Sequence, residues 1–183
     1  MAILSEVVEQ RVGSGRADVA PALHDIGHTA RGLVDSMSDL VWSIDPRRDE
    51  GENLIVRIRQ FASDMFEPRG IDHAVEADEE TARVRLSPEC RRHLLLIFKE
   101  AIVNTARHAR CRTARLRFRF DRETLCAEIE DDGCGFGEAD GDRSRGGHGL
   151  ASMRARAAQL GGRLEIDSRT GEGTRIFLTV PCR

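Results

Sequence analysis

Leu23, Ile26, Ala30, Leu33, Met37, Leu40 and Ile44 recur at alternating intervals of three and four residues. This is an apolar seam of period 3.5 over residues 22–44, the pattern of helices that pack along their length. It fits a dimeric helical bundle. The plainer alternative is an amphipathic helix lying on its own domain. Trp42 lies off the seam. Residues 1–10 show the same periodicity, with Ile3, Leu4, Val7 and Val8 on one face, and predict the tail of an antiparallel partner helix. Val12-Gly13-Ser14-Gly15 breaks that helix, and Pro21 suits the first turn of the next. Asp45-Pro46-Arg47-Arg48-Asp49 ends the seam helix, because a residue before proline disfavours helical geometry. The charges there predict a solvated hinge over 46–50, separating a helical segment 1–45 from a domain 51–183.

Beyond the hinge the period changes. Residues 51–67 predict a helix with Leu54, Ile58, Phe61 and Met65 inward, stopped by Pro68 and Gly70. Ile71 to Glu76 is a weak strand. Ser87-Pro88 is a helix start, with serine as the cap and proline in the first turn. The helix 89–108 has two faces. Leu94, Leu95, Phe98, Ala101, Ile102 and Thr105 cover the core side. Glu100, Asn104 and His108, at i, i+4 and i+8, stack on the other. Two alternating strands follow, Thr113 to Phe120 and Thr124 to Glu130, joined at Asp121-Arg122-Glu123. Residues 133–148 are glycine-rich and polar, a long loop of the kind that is usually functional. A helix from Leu150 to Leu160, stopped by Gly161-Gly162, precedes strands Arg163 to Asp167 and Thr174 to Val180.

Composition narrows the function classes. Lysine plus arginine (28) nearly balance aspartate plus glutamate (31), and a net charge of -3 gives no field to gather nucleic acid or an anionic membrane. The longest purely apolar run, Leu94 to Phe98, is far short of a membrane span, and the first residues do not form a signal peptide. The expectation is a cytoplasmic chain without direct membrane contact, whose longer parent protein is open to membrane anchoring. The five cysteines have no C-x-x-C spacing, so reduced thiols are expected rather than a disulfide framework or a zinc site.

Four pieces then line up over 75 residues. Asn104 offers a neutral carbonyl oxygen, which with phosphate oxygens suits magnesium. One turn earlier, Glu100 is a candidate base or water-positioning group. Arg107 and His108 are candidates to meet phosphate. By itself this triplet of positions is equally a solvated helix face. Asp131 ends an alternating strand directly before Gly133-Cys134-Gly135. A carboxylate there can accept from an exocyclic amine such as that of adenine, and glycines let a flat base approach the backbone. The plainer reading is an acidic turn. Gly147-His148-Gly149-Leu150 opens a helix, whose free amides favour phosphate. Gly171-Glu172-Gly173-Thr174 opens a strand and supplies a hydroxyl. The dinucleotide fingerprint fails at Glu138, and the chain contains no G-x-x-x-x-G-K-[ST] loop.

In that order these motifs resemble the boxes of the ATP-binding catalytic domain of sensor histidine kinases, within the GHKL ATPases of Bergerat fold. Phe98 to Ala109 is similar to the N box. Asp131 to Phe136, Gly147 to Leu150, and Gly171 to Thr174 are similar to the three glycine boxes. Gly149 to Gly162 and Val34 to Arg48 are similar to the nitrate-sensor type of two-component kinase, so the resemblance covers nearly the whole chain. It implies an α+β fold: a two-layer α/β sandwich with a mixed sheet covered by helices, preceded by a helical dimerisation segment. It implies ATP and Mg2+ as cofactors, with Asn104 on magnesium and Asp131 on the adenine amine. Gly133, Gly135, Gly147, His148, Gly149, Leu150, Gly173 and Thr174 would line the nucleotide, beneath a lid over 138–147. The γ-phosphate would pass to a histidine on a homodimeric bundle formed through residues 1–45, and then to an aspartate on a response regulator receiver domain.

Leu23-His24-Asp25-Ile26-Gly27 is similar to the acceptor box of that subfamily, but His24 opens the second bundle helix, and the acceptor belongs on the first. The expectation is therefore that the acceptor precedes Met1 and that this chain alone does not phosphorylate itself. Two other readings compete: an ATPase or anti-sigma serine kinase of the same superfamily, and a nucleotide-binding dimerisation module without catalysis.

Overall fold

The computed structural model describes residues 30, 37–39, 41–42, 50–121, 123–137 and 147–182, with the backbone alone at 147 and 148. The helix over residues 1–10, most of the 22–44 seam, His24, the hinge residues 46–49 and the loop residues 138–146 therefore lie outside the described residues. The chain forms two compact units, Met1–Ile44 and Asp45–Arg183. In the first, residues 37–39 and 41–42 are helical. There Met37 is 68% exposed and Val41 is exposed, whereas Asp39 and Trp42 are buried.

The second unit is built around a five-stranded sheet. Its elements in chain order are α1 (Gly51–Phe66), β1 (Asp72–Ala77), α2 (Glu79–Arg83), α3 (Pro88–Asn104), β2 (Thr113–Asp121), β3 (Thr124–Asp131), α4 (Gly147–Gln159), β4 (Arg163–Ser168) and β5 (Thr174–Pro181). The strand order is β1-β2-β3-β5-β4. β1 runs parallel to β2, and every other pairing is antiparallel. The fold is the expected α+β arrangement with a mixed sheet.

Strand alternation decides which side is core. Leu116, Ile129 and Ile176 stand opposite one another across β2, β3 and β5, as do Phe118, Ala127 and Leu178. All six are buried. The Phe98 ring of α3 meets Phe118 at 4.8 Å between centroids, tilted by 58°. Such a pair contributes about 0.5–1.5 kcal/mol beyond its buried area. The residues between these rows face outward and are mainly charged.

α1 packs through Leu54, Ile55, Ile58, Ala62 and Phe66. The expected stripe is corrected in its second half: Phe61 and Met65 are only partly buried, and Ala62 and Phe66 take the inward positions. α2, which the sequence reading did not anticipate, is capped by Asp78, whose carboxylate accepts from the Thr81 amide at 2.7 Å. α3 starts as expected. Pro88 occupies its first turn and Ser87 Oγ accepts from the Cys90 amide at 3.1 Å, a cap of about 1 kcal/mol. Its far end differs. Residues Thr105–Ala109 form a π turn, closed by Arg110 in the left-handed region at φ 53°. α4 begins three residues earlier than expected, at Gly147, and ends at Gln159, two residues before Gly161 with its φ of 68°.

Candidate nucleotide site

The site forms where the end of α3 meets the ends of β3 and β5. Asp131 is the last residue of β3, on the helix-facing side of the sheet, opposite Ala114 and Thr174. It is only 7% exposed. One carboxylate oxygen accepts from the Gly133 amide at 3.0 Å, and the other from Thr105 Oγ1 at 3.4 Å. Burial raises the Asp131 pKa above the ordinary carboxylate value, and these hydrogen bonds only partly offset it. Asp131 is thus a fixed, poorly solvated acceptor, suited to a ligand N–H.

Its neighbour Asp132 does something else. Asp132 Oδ1 accepts from the amides of Arg112 (2.7 Å) and Thr113 (2.8 Å), which ties the first glycine turn to the start of β2. Those bonds, that of Thr113 first, hold its carboxyl below the usual range.

The glycines let three backbones close on one another. A Cβ on Gly133 would collide with the Ala109 carbonyl, the last of the π turn. That carbonyl accepts from the Cys134 amide at 2.7 Å. Gly173 has φ 79°, and a Cβ there would strike the Asp131 carbonyl. The Gly171 amide donates to the Cys134 carbonyl at 2.7 Å. The first and third glycine turns are therefore laced backbone to backbone, and any side chain at these points would wedge them apart.

Ser168, which sequence reasoning missed, links both turns. Its Oγ accepts from the Phe136 amide at 2.9 Å and lies 3.1 Å from the Gly173 carbonyl and 3.0 Å from Thr174 Oγ1. Thr105 was assigned to the core alone, yet it is also a ligand of Asp131. Neither carried a local signal, since each reads as an ordinary position of its helix or strand. Asp131, Ser168, Gly173 and Thr174 line an open cleft of about 260 Å³, together with Glu130, Asp167, Arg169, Glu172 and Arg175.

The polar face of α3 carries Glu100 and Asn104, which are not among the residues lining that cleft. Glu100 and Asn104 are half-buried one turn apart. Glu100 Oε1 occupies the space a Cβ on Gly149 would need, so the carboxylate sits against the first turn of α4. A negative group is favourable there, because helix N-terminal amides are unsatisfied. Leu150 is half-buried in the same turn. The expected i+8 position of His108 falls within the π turn Thr105–Ala109 rather than on a continuous α-helix. His108 and Arg107 are both exposed. The side chain of His148 lies outside the described residues.

A profile of the family described as histidine kinase-, DNA gyrase B-, and HSP90-like ATPase matches residues 89–183. The chain belongs to this family. The matched span of this ATPase-type domain runs from the first turn of α3 through β5, and so contains all the glycine turns described above. Among similar proteins, an uncharacterized sensor-like histidine kinase of Chloroflexus aurantiacus is 27% identical over 97% of this chain and 30% of its own length. The signal transduction histidine-protein kinase/phosphatase UhpB of Salmonella typhimurium is 30% identical over 96% of this chain and 34% of its own. The sensor histidine kinase LiaS of Bacillus subtilis is 26% identical over 99% and 49%. The chain thus spans less than half the length of these relatives. Two solved structures share the fold. The histidine kinase domain from the Erythrobacter litoralis EL346 blue-light activated histidine kinase gives a TM-score of 0.62 at 21% identity, over 98% of this chain and 94% of its own. The Acinetobacter baumannii histidine kinase AdeS gives 0.66 at 15%, over 99% and 94%.

Proposed function

We propose that this domain binds ATP with Mg2+ and passes the γ-phosphate to a histidine on a dimeric helical bundle, for relay to an aspartate of a response regulator. The observation that carries the reading is Asp131: a buried carboxylate whose oxygens are held by Gly133 and Thr105, set beside glycines that leave no room for a Cβ. That is the chemistry an adenine exocyclic amine needs, and the family match supports it.

Among the described residues no three His, Cys, Asp or Glu side chains converge to hold a metal. The donor set fits magnesium in another way, with the Asn104 amide oxygen as one ligand and phosphate oxygens completing the shell. Magnesium would supply neutralisation of the phosphate charge. This chain's residues do the rest. Gly133, Gly135 and Gly173 give the base and sugar close access to backbone, and Thr174 presents its hydroxyl. The amides of Gly147 and Gly149 face phosphate, with His148 and Leu150 in the same turn. Glu100 acts as base or orients a water once it leaves the first turn of α4. Residues 1–45 form part of the dimerisation and phosphotransfer hairpin, and 46–50 the hinge to domain 51–183. The exposed Met37 and Val41 support that reading, since they leave an apolar edge for a second helix. Arg107 and His108, both exposed, are the candidates to meet phosphate oxygens.

Titration calorimetry with a non-hydrolysable ATP analogue and Mg2+ tests the binding half. Asn104→Ala should abolish the magnesium-dependent part of the affinity, and near-normal affinity would remove that residue from the site. Labelled ATP tests the transfer half. Label should pass in trans to a separately supplied acceptor helix carrying histidine. Acid-labile label on His24 in this chain alone would instead make His24 the acceptor.

A further inference from the structure

Three side chains stand in one row across three strands of the cleft. Asp131 of β3 is opposite Thr174 of β5, and Thr174 is opposite Ser168 of β4. All three line the cleft. Ser168 Oγ has three polar neighbours: the Phe136 amide at 2.9 Å, Thr174 Oγ1 at 3.0 Å and the Gly173 carbonyl at 3.1 Å. A serine hydroxyl has one proton to give and two lone pairs with which to accept. The Phe136 amide only donates, so it occupies one lone pair. The Gly173 carbonyl only accepts, so it takes the proton. One lone pair is left at Ser168, and the Thr174 hydroxyl points its own proton there. This is the order of protons in which all three contacts are made. Thr174 Oγ1 then faces the cleft with lone pairs and no proton.

We propose that Ser168 is a positioning residue that fixes Thr174 as a hydrogen-bond acceptor and so sets which base the cleft admits. The inference rests on the reading of the cleft as a nucleotide site and deepens it. Asp131, held by the Gly133 amide at 3.0 Å and the Thr105 hydroxyl at 3.4 Å, is an acceptor. With the Thr174 proton drawn away to Ser168, Asp131 and Thr174 together offer acceptors only. A ring edge with an exocyclic amine brings N–H groups to them. A ring edge with a carbonyl at the same place sets lone pairs against lone pairs and leaves the protein's acceptors unpaired, which is costly in a water-poor site. Ser168 acts here through Thr174 rather than through the ligand. Its bond from the Phe136 amide also holds the end of the first glycine turn to the same oxygen. One hydroxyl thus joins the first turn to the third and gives the third its polarity.

Calorimetry on the full chain with Mg2+ compares a non-hydrolysable ATP analogue with its hypoxanthine counterpart, in which a carbonyl replaces the amine. Wild type should favour the adenine analogue by about 10-fold or more. Ser168→Ala frees the Thr174 proton, so the preference should shrink several-fold, mainly through tighter binding of the hypoxanthine analogue. Ser168→Thr keeps the hydroxyl and should restore the wild-type ratio. A brace without a role in polarity would weaken both analogues alike; an equal loss, or an unchanged ratio in Ser168→Ala, would overturn the proposal. Amide hydrogen exchange in the ligand-free protein, followed by NMR, reads the bridge itself. The Phe136 amide should exchange about 10-fold faster or more in Ser168→Ala and at the wild-type rate in Ser168→Thr. Unchanged protection in Ser168→Ala would overturn the proposal whatever binds. Wild type that takes up neither analogue would sink the nucleotide reading and with it the choice of base, and the exchange result alone would then decide the bridge at Ser168.

Discussion

Glu130 and Asp131 are neighbours on β3, and the sheet sends their side chains to opposite faces. Glu130 points outward, opposite Arg115 and Arg175. Arg175 reaches it at 2.8 Å and Arg117 at 3.5 Å, and Glu128 pairs with the same two arginines at 2.9 and 3.2 Å. Asp167 extends that row beside Arg175 on β4, so charges alternate across the strands. Arg175 first, by its hydrogen bond, holds the Glu130 carboxyl low. Asp131 points inward, has no cationic partner among the described residues, and is raised by burial. One carboxylate is balanced in water by guanidinium groups. The other is left short of compensation, held by the Thr105 hydroxyl and by backbone amides that only partly offset its burial. A site that must bind something needs the second kind, because a group already satisfied gains little from a ligand.

The largest effect should come from breaking the inward member. Asp131→Asn should weaken binding of an ATP analogue about 10- to 100-fold, the worth of a charge-assisted hydrogen bond. Glu130→Gln should change it less than about twofold. Calorimetry on both variants checks the contrast, and equal losses would dissolve it.

Next comes the turn that supports Asp131. Gly173→Ala must adopt φ 79° and displace the Asp131 carbonyl. A loss of about 3 kcal/mol or more in urea unfolding is expected, since the left-handed penalty of about 1–2 kcal/mol adds to the collision. Gly171→Ala has φ 87° but open space around it, so it should lose only the conformational part, about 1–2 kcal/mol.

The pH dependence should run in opposite directions for the pair. Glu130 is lowered from 4.5. It stabilises the fold above that value and loses this as pH falls through its lower folded pKa. Asp131 is raised from 3.8. Its charged form disfavours the fold at neutral pH, and that penalty disappears as pH falls through the raised value. Denaturation of wild type, Glu130→Gln and Asp131→Asn across the acid range should show the stabilising contribution of Glu130 and the destabilising contribution of Asp131, opposite in sign, both shrinking with acid. Nucleotide affinity should fall off already above pH 3.8, because the acceptor must be ionised. Smallest of all, Arg175→Gln should lower the melting temperature slightly, by an amount that high salt erases, as expected for an exposed pair.

The strands and glycine turns were legible in the sequence because their signals are local. Period-two alternation in Leu116, Phe118 and Phe120 marks a face, and Asp131 could be placed inward by counting along β3. The supporting hydroxyls were not legible. Thr105 reads as one more core position of α3, and Ser168 as one more strand residue, until the fold brings β3 and β5 side by side. The π turn was hidden for a related reason. Residues 105–109 contain neither glycine nor proline, so the α pattern continues smoothly through them. The widening coincides with docking of the Ala109 carbonyl on Gly133 and Cys134, a tertiary contact. The α1 stripe was misjudged because the larger Phe61 and Met65 outweighed Ala62, although a small residue is what a close helix approach needs.

The strand order also bears on how the domain is made. β5 is the last strand of the chain yet lies between β3 and β4. During synthesis, β3 and β4 emerge first and each waits with an open edge until β5 leaves the ribosome. The nascent chain thus leaves one edge of β3 and the whole of β4 unpaired for the time needed to translate the segment after Ser168, a window in which a neighbouring chain or a chaperone competes for the place β5 will fill.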